Sequence, residues 1–131
     1  GTSSGFYLID PNGGNLLDTP LLDHAKLLQS FHGGYEFLVR IGNFSVRTEG
    51  RFAEVDFPEF ISPAYARLKS DLDGYLRLHL SESELTAAYL HEVVHWLRLM
   101  PYKLISDPAR TPVFYAVLVR ALHTVAQRVG W

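Results

Sequence analysis

Near its C-terminal end the chain repeats apolar side chains at intervals of three and four: Phe114, Val117, Leu118, Ala121, Leu122 and Val125. That period lays them along one side of a helix, which has to bury the stripe against something else. The spacing predicts a helix over 113–129. Three further helix starts are legible. Thr19-Pro20 reads as an N-cap followed by proline in the first helical position, opening a helix to about Phe31 that stops at Gly33-Gly34. Ser62-Pro63 repeats the signal and opens a helix to about Leu78, with Tyr65, Leu68, Leu72, Tyr75 and Leu76 on one face. Ser81 and Glu84 have capping-box spacing, and the helix they open should end at Met100, before Pro101.

Strand signals are few. Phe6-Tyr7-Leu8-Ile9 is a short apolar run that ends abruptly in Asp10, followed by the turn residues Pro11-Asn12-Gly13-Gly14. Tyr35 to Arg47, with Gly42-Asn43 as a turn, and Phe52 to Phe57 read as a small hairpin or a three-stranded flap. The expected class is therefore mainly α with a small β element, an α+β helical bundle carrying one strand and one hairpin.

With 131 residues, 47 % of them hydrophobic, the chain suffices for one domain with a real core. Residues 6–131 read as that domain, and Gly1 to Gly5 as a flexible leader, native or added. The net charge of −2 and the lack of a long basic run argue against nucleic acid as a partner. No apolar stretch approaches the ~18 residues of a membrane span, and no signal-peptide pattern opens the chain. The absence of cysteine removes disulfides and thiolate metal sites and suits a cytoplasmic protein. The sole methionine is Met100, so the sequence reads as a fragment or processed piece of a longer protein.

A carboxylate at the tip of a buried strand is a natural metal perch, and Asp10 occupies one. It equally suits capping its own turn through the Asn12 or Gly13 amide. Asp23, early in the next helix, is at the least a first-turn acid favoured by the helix dipole. The run Leu8 to Gly14, then Asp23 to Tyr35 (DHAKLLQSFHGGY), resembles the C-terminal lobe of the aminoglycoside-phosphotransferase and choline-kinase-like superfamily. It is most similar to the sugar-phosphotransferase branch found with nucleotide-sugar and capsule enzymes. Gly42 to Val46, Leu99 to Tyr102 and Asp107 to Arg110 extend the resemblance over most of the chain.

The resemblance implies a protein-kinase-like fold and transfer of the γ-phosphoryl of ATP to a hydroxyl of a sugar or related small metabolite. Asp10 would match the Asp-Phe-Gly aspartate that binds magnesium, and Asp23 the acid that braces the catalytic loop. His32 and Tyr35 become candidates for the acceptor pocket. The family's His-Gly-Asp loop and nucleotide-binding N-lobe have no counterpart in this sequence. The partner implied is thus an N-terminal part of the same protein, and the segment alone is expected to be inactive.

A rival motif is His91-Glu92-Val93-Val94-His95, a literal H-E-x-x-H on a predicted helix. Histidines at i and i+4 can share a zinc ion, and the glutamate can act as base on a zinc-bound water, as in a minimal metallopeptidase. The third ligand is missing: Pro101 stands where the extended motif needs a histidine. The preferred reading is a helix carrying two partly exposed histidines beside a core of Tyr89, Val93, Trp96 and Leu97. His24, His79 and His123 read as ordinary residues. Tyr35, Phe37, Phe44, Phe52, Phe57 and Phe60 either wall an acceptor site or pack a hairpin on the helices; packing is the plainer account, with the nearby acids facing water. A non-catalytic binding or scaffold domain is the remaining alternative.

Overall fold

Proline at the mouth of a helix and glycine just beyond its end frame the first element of the computed structural model, which describes residues 19–59 and 62–131. Helix α1 (Leu21–Phe31) starts with Thr19 Oγ1 accepting the Leu21 N–H at 3.3 Å. Pro20 already has helical dihedrals, and its carbonyl accepts from Asp23 and His24. The helix stops where Gly34 turns to φ +71°. The expected strand Phe6 to Asp10, its turn, Asp10 itself and Phe60 lie outside the described residues.

The segment after Gly34 departs from expectation. Tyr35 does not open a strand; it begins α2 (Tyr35–Leu38), a single helical turn. On one strand, Tyr35 and Phe37 would share a face. Here Tyr35 packs toward Trp96 and Phe114, while Phe37 meets Tyr65 edge-on at 4.7 Å. Leu38, the last residue of the turn, is buried in the core. The tertiary demand for two directions decides for the helix turn.

The hairpin itself is two-stranded: β1 (Ser45–Glu49) pairs antiparallel with β2 (Phe52–Asp56), with Val46 opposite Val55 and Glu49 opposite Phe52. Its turn is Gly50-Arg51 rather than Gly42-Asn43, and Gly50 supplies the positive φ of +58° that a two-residue hairpin needs. The hairpin is largely exposed: Phe52 stands 82 % in solvent, and Val55 and Phe57 make the apolar contact with the core.

Helix α3 (Pro63–His79) is capped by Ser62, whose Oγ accepts the Tyr65 N–H at 3.2 Å. Of its five expected inward residues only Leu72 and Leu76 are buried. Helix α4 (Glu82–Ser106) opens on the expected capping box, Ser81 Oγ accepting from Glu84 N–H and the Glu84 carboxylate from Ser81 N–H. It does not end at Met100. Pro101 lies inside it, on the exposed side, where water can satisfy the carbonyl that proline leaves unbonded. Continuing the helix places buried Lys103 with its Nζ 4.6 Å from the Phe114 ring centroid, a cation–π contact.

Helix α5 (Thr111–Val129) carries the predicted stripe inward, apart from Leu122, which is half exposed. Helix α4 forms the centre, with α1 and α5 packed along it and α3 more loosely beside α1. Trp96, Phe114, Leu28, Leu76, Leu85 and Val113 are fully buried in one core. Among the described residues no helix is long and apolar enough to cross a membrane.

Candidate functional site

Leu85, Ala88, Tyr89, Glu92, Val93 and Trp96 recur at three and four and form the buried face of α4. One of them is a carboxylate. Glu92 has no solvent exposure, and a buried carboxylate is costly unless charged or polar donors surround it. Trp96, one turn on, donates its indole N–H to Glu92 Oε1 at 3.3 Å. His32 supplies the stronger contact, with Nδ1 2.9 Å from Oε2 and 3.1 Å from Oε1.

The end of α1 makes this contact possible. Gly33 lies so close to Trp96 that a Cβ there would come within 2.4 Å of the indole ring and 2.9 Å of the Gln29 carbonyl. The missing side chain lets the chain turn against the indole and lower His32 onto Glu92. Tyr89 holds the imidazole from the side, edge-on at 5.6 Å. An ionised carboxylate only accepts, so the shared hydrogen is carried by His32 Nδ1.

The other edge of the imidazole borders open space. The His32 side chain is 22 % exposed and lines two adjoining clefts, of about 500 and 440 Å³. The larger is walled by Phe31, Phe37, Phe57 and Tyr65, with Glu36, Arg40, Glu59 and Arg120 as charged groups. Phe31 and Phe37 both meet Tyr65 edge-on. Arg120 is paired with Glu59 at 2.5 Å and lies 6.0 Å from the Phe57 ring, bridging α5 to the segment that leaves the hairpin. Glu36 accepts from Ser30 Oγ at 2.7 Å through one oxygen; the other is sealed from solvent and unpartnered. The smaller cleft continues past Arg120 to His123 and Thr124. The combination of aromatic walls and a few fixed polar groups fits a small organic ligand.

The sequence-derived candidates separate into different places. Asp10, the expected magnesium ligand, lies outside the described residues. Asp23 is exposed in the first turn of α1, where the helix dipole favours a carboxylate. His32 reaches the clefts. Tyr35 does not line them; its ring packs toward Trp96 and Phe114, with the Lys103 ammonium 5.8 Å away. Of the other aromatics, Phe37 and Phe57 wall the larger cleft, Phe44 is partly buried against the core and Phe52 faces solvent.

The H-E-x-x-H residues serve separate partners. Glu92 is occupied by His32 and Trp96. His95 Nε2 lies 3.3 Å from the Leu22 carbonyl, so that nitrogen carries the hydrogen. Burial pushes the His95 pKa below its ordinary 6.5, partly offset by the Leu22 bond and reinforced by Lys26 and Arg98. His91 is partly buried, with Nδ1 sealed and unpartnered. Among the described residues no three His, Asp or Glu side chains gather as a metal-holding group. In this arrangement the motif's carboxylate is engaged by His32 and Trp96 instead of facing His91 or His95. Leu97, expected in the core beside Trp96, is 53 % exposed.

The pairing of His32 with Glu92 escaped the sequence reading because 60 residues separate the two. A signal was nevertheless present: Glu92 falls on the apolar stripe of its helix, and a carboxylate there needs a donor from elsewhere. Compared with family models, with curated proteins and with solved structures, the chain matches none.

Proposed function

We propose that this chain is the C-terminal lobe of an ATP- and magnesium-dependent phosphotransferase whose acceptor is a hydroxyl of a sugar or related small metabolite. The observation that carries the reading is the cleft at the end of α1. The DHAKLLQSFHGGY run, on which the resemblance rests most, contributes Phe31, His32, Gly33 and Gly34 to its lining, and His32 is held there by a buried carboxylate. The cleft's size and aromatic walls suit a sugar-sized molecule.

In this reading Asp10 holds magnesium, which neutralises charge on the phosphoryl group as it transfers. The described residues serve the acceptor side. Phe31, Phe37 and Tyr65 present apolar faces to a sugar ring, His32 offers a fixed polar atom, and the Arg120–Glu59 pair closes the rim. Asp23 supports the neighbouring loop.

The test is ATP-dependent phosphorylation of a panel of sugars and polyols by the full gene product, comparing wild type with Asp10→Ala. Loss of at least about 100-fold in turnover, with thermal unfolding unchanged, is expected from removing charge stabilisation at the transferring group. Full turnover in the variant would rule out the role given to Asp10. Stoichiometric zinc in the purified protein, lost in His91→Ala, would instead favour a zinc enzyme.

A further inference from the structure

We infer that Glu92 is a positioning residue that fixes the hydrogen of His32 on Nδ1, leaving Nε2 as a hydrogen-bond acceptor for a hydroxyl of a neutral, polyhydroxylated ligand in the cleft. The ligand class rests on the phosphotransferase reading; the assignment of the acceptor atom does not.

Three observations lead there. The Glu92 carboxylate has no solvent exposure, and both its oxygens lie within 3.1 Å of His32 Nδ1. A carboxylate cannot donate, so it selects the Nδ1–H form of the neutral imidazole. Nε2 makes no hydrogen bond among the described residues, and the ring lines both clefts. An acceptor nitrogen in a cleft is complementary to a donor, and an uncharged hydroxyl is the donor that fits the charge around it. The charged residues that line the larger cleft balance in sign, Glu36 and Glu59 against Arg40 and Arg120, and Arg120 is paired directly with Glu59 at 2.5 Å. The aromatic walls then offer faces to the C–H surface of a polyol or sugar ring.

The geometry also explains why a glutamate sits in the core at all. A methionine or leucine of similar size would pack as well but would leave the imidazole free to carry its hydrogen on either nitrogen. Trp96 and Tyr89 hold the carboxylate and the ring in register, so the acceptor atom is preorganised before ligand arrives.

The experiment is long-range ¹H–¹⁵N correlation of the histidine rings in the wild-type chain, in Glu92→Gln and in His32→Phe. Each is titrated with glycerol, ribitol and glucose in the absence of nucleotide and metal. In wild type, His32 should show a hydrogen on Nδ1 and a bare Nε2 whose shift moves on adding ribitol or glucose. Glu92→Gln, which keeps the shape but can donate as well as accept, should populate the other tautomer and weaken binding. His32→Phe should weaken it at least about tenfold, the scale of one lost hydrogen bond. His32→Gln, which keeps a polar atom near the Nε2 position, should restore part of the loss. A hydrogen on Nε2 in wild type would overturn the proposal. So would unchanged affinity in His32→Phe, or no response to any of the three probes in the millimolar range. Because neither ATP nor magnesium takes part, such a failure leaves the Asp10 test standing, and failure of that test leaves the tautomer result standing.

Discussion

Glu92 and His32 meet at 2.9 Å across 60 residues of chain, the carboxylate wholly buried and the imidazole open to a cleft. That contact fastens the end of α1 to the middle of α4. Replacing Glu92 by Ala leaves the Trp96 N–H and His32 Nδ1 without a partner, and should cost about 1–3 kcal/mol for each donor left unpaired. Glu92→Gln should cost less, about 1–3 kcal/mol. Urea unfolding of the two variants checks the order; equal, small losses would show that the pair contributes little to the fold.

Gly33 and Gly34 are adjacent, yet they should fail for different reasons. At Gly33 a methyl group would meet Trp96 at 2.4 Å and the Gln29 carbonyl at 2.9 Å. Gly33→Ala should therefore destabilise by about 1–3 kcal/mol or more through overpacking, and should disturb the indole fluorescence of Trp96. Gly34 has φ +71° and its nearest neighbour to a Cβ is 3.8 Å away. Gly34→Ala should cost about 1–2 kcal/mol from backbone strain alone and leave the fluorescence unchanged.

His95 makes stability depend on pH. Burial holds its folded pKa below the ordinary 6.5. The unfolded chain therefore binds more protons in the interval between the two values, and stability rises with pH there. This contribution is complete above about pH 6.5 and is lost as pH falls through the depressed folded value. His95→Gln should flatten the urea midpoint measured across that interval, while leaving any slope contributed by other groups. A slope unchanged in the variant would assign the effect elsewhere.

Pro101 interrupts the hydrogen bonding of α4 on an exposed turn. Pro101→Ala restores an N–H toward the Leu97 carbonyl and replaces the poorest helix former with the best. It should raise stability by about 1–3 kcal/mol in thermal or urea unfolding. Destabilisation instead would mean that a bend at Pro101 is needed to set Lys103 over Phe114.

Helix placement in this protein was legible from local chemistry. The Ser81–Glu84 box, the Ser62-Pro63 start and the Phe114 to Val125 stripe act within a turn or two of backbone, so neighbours in sequence suffice to specify them. The two misjudged segments were decided at longer range. Tyr35 and Phe37 form a helical turn because their rings find different partners on α4, α5 and α3. Helix α4 continues past Pro101 because Lys103 then reaches Phe114. The functional candidates divide in the same way. The sequence by itself singled out His32, Glu92 and the aromatic segment as separate features, each with an ordinary explanation. Tertiary structure decided that Glu92 meets His32, a residue 60 positions away in the chain. A buried carboxylate takes whichever donor the packing brings to it, and the close passage of Gly33 over Trp96 brings His32.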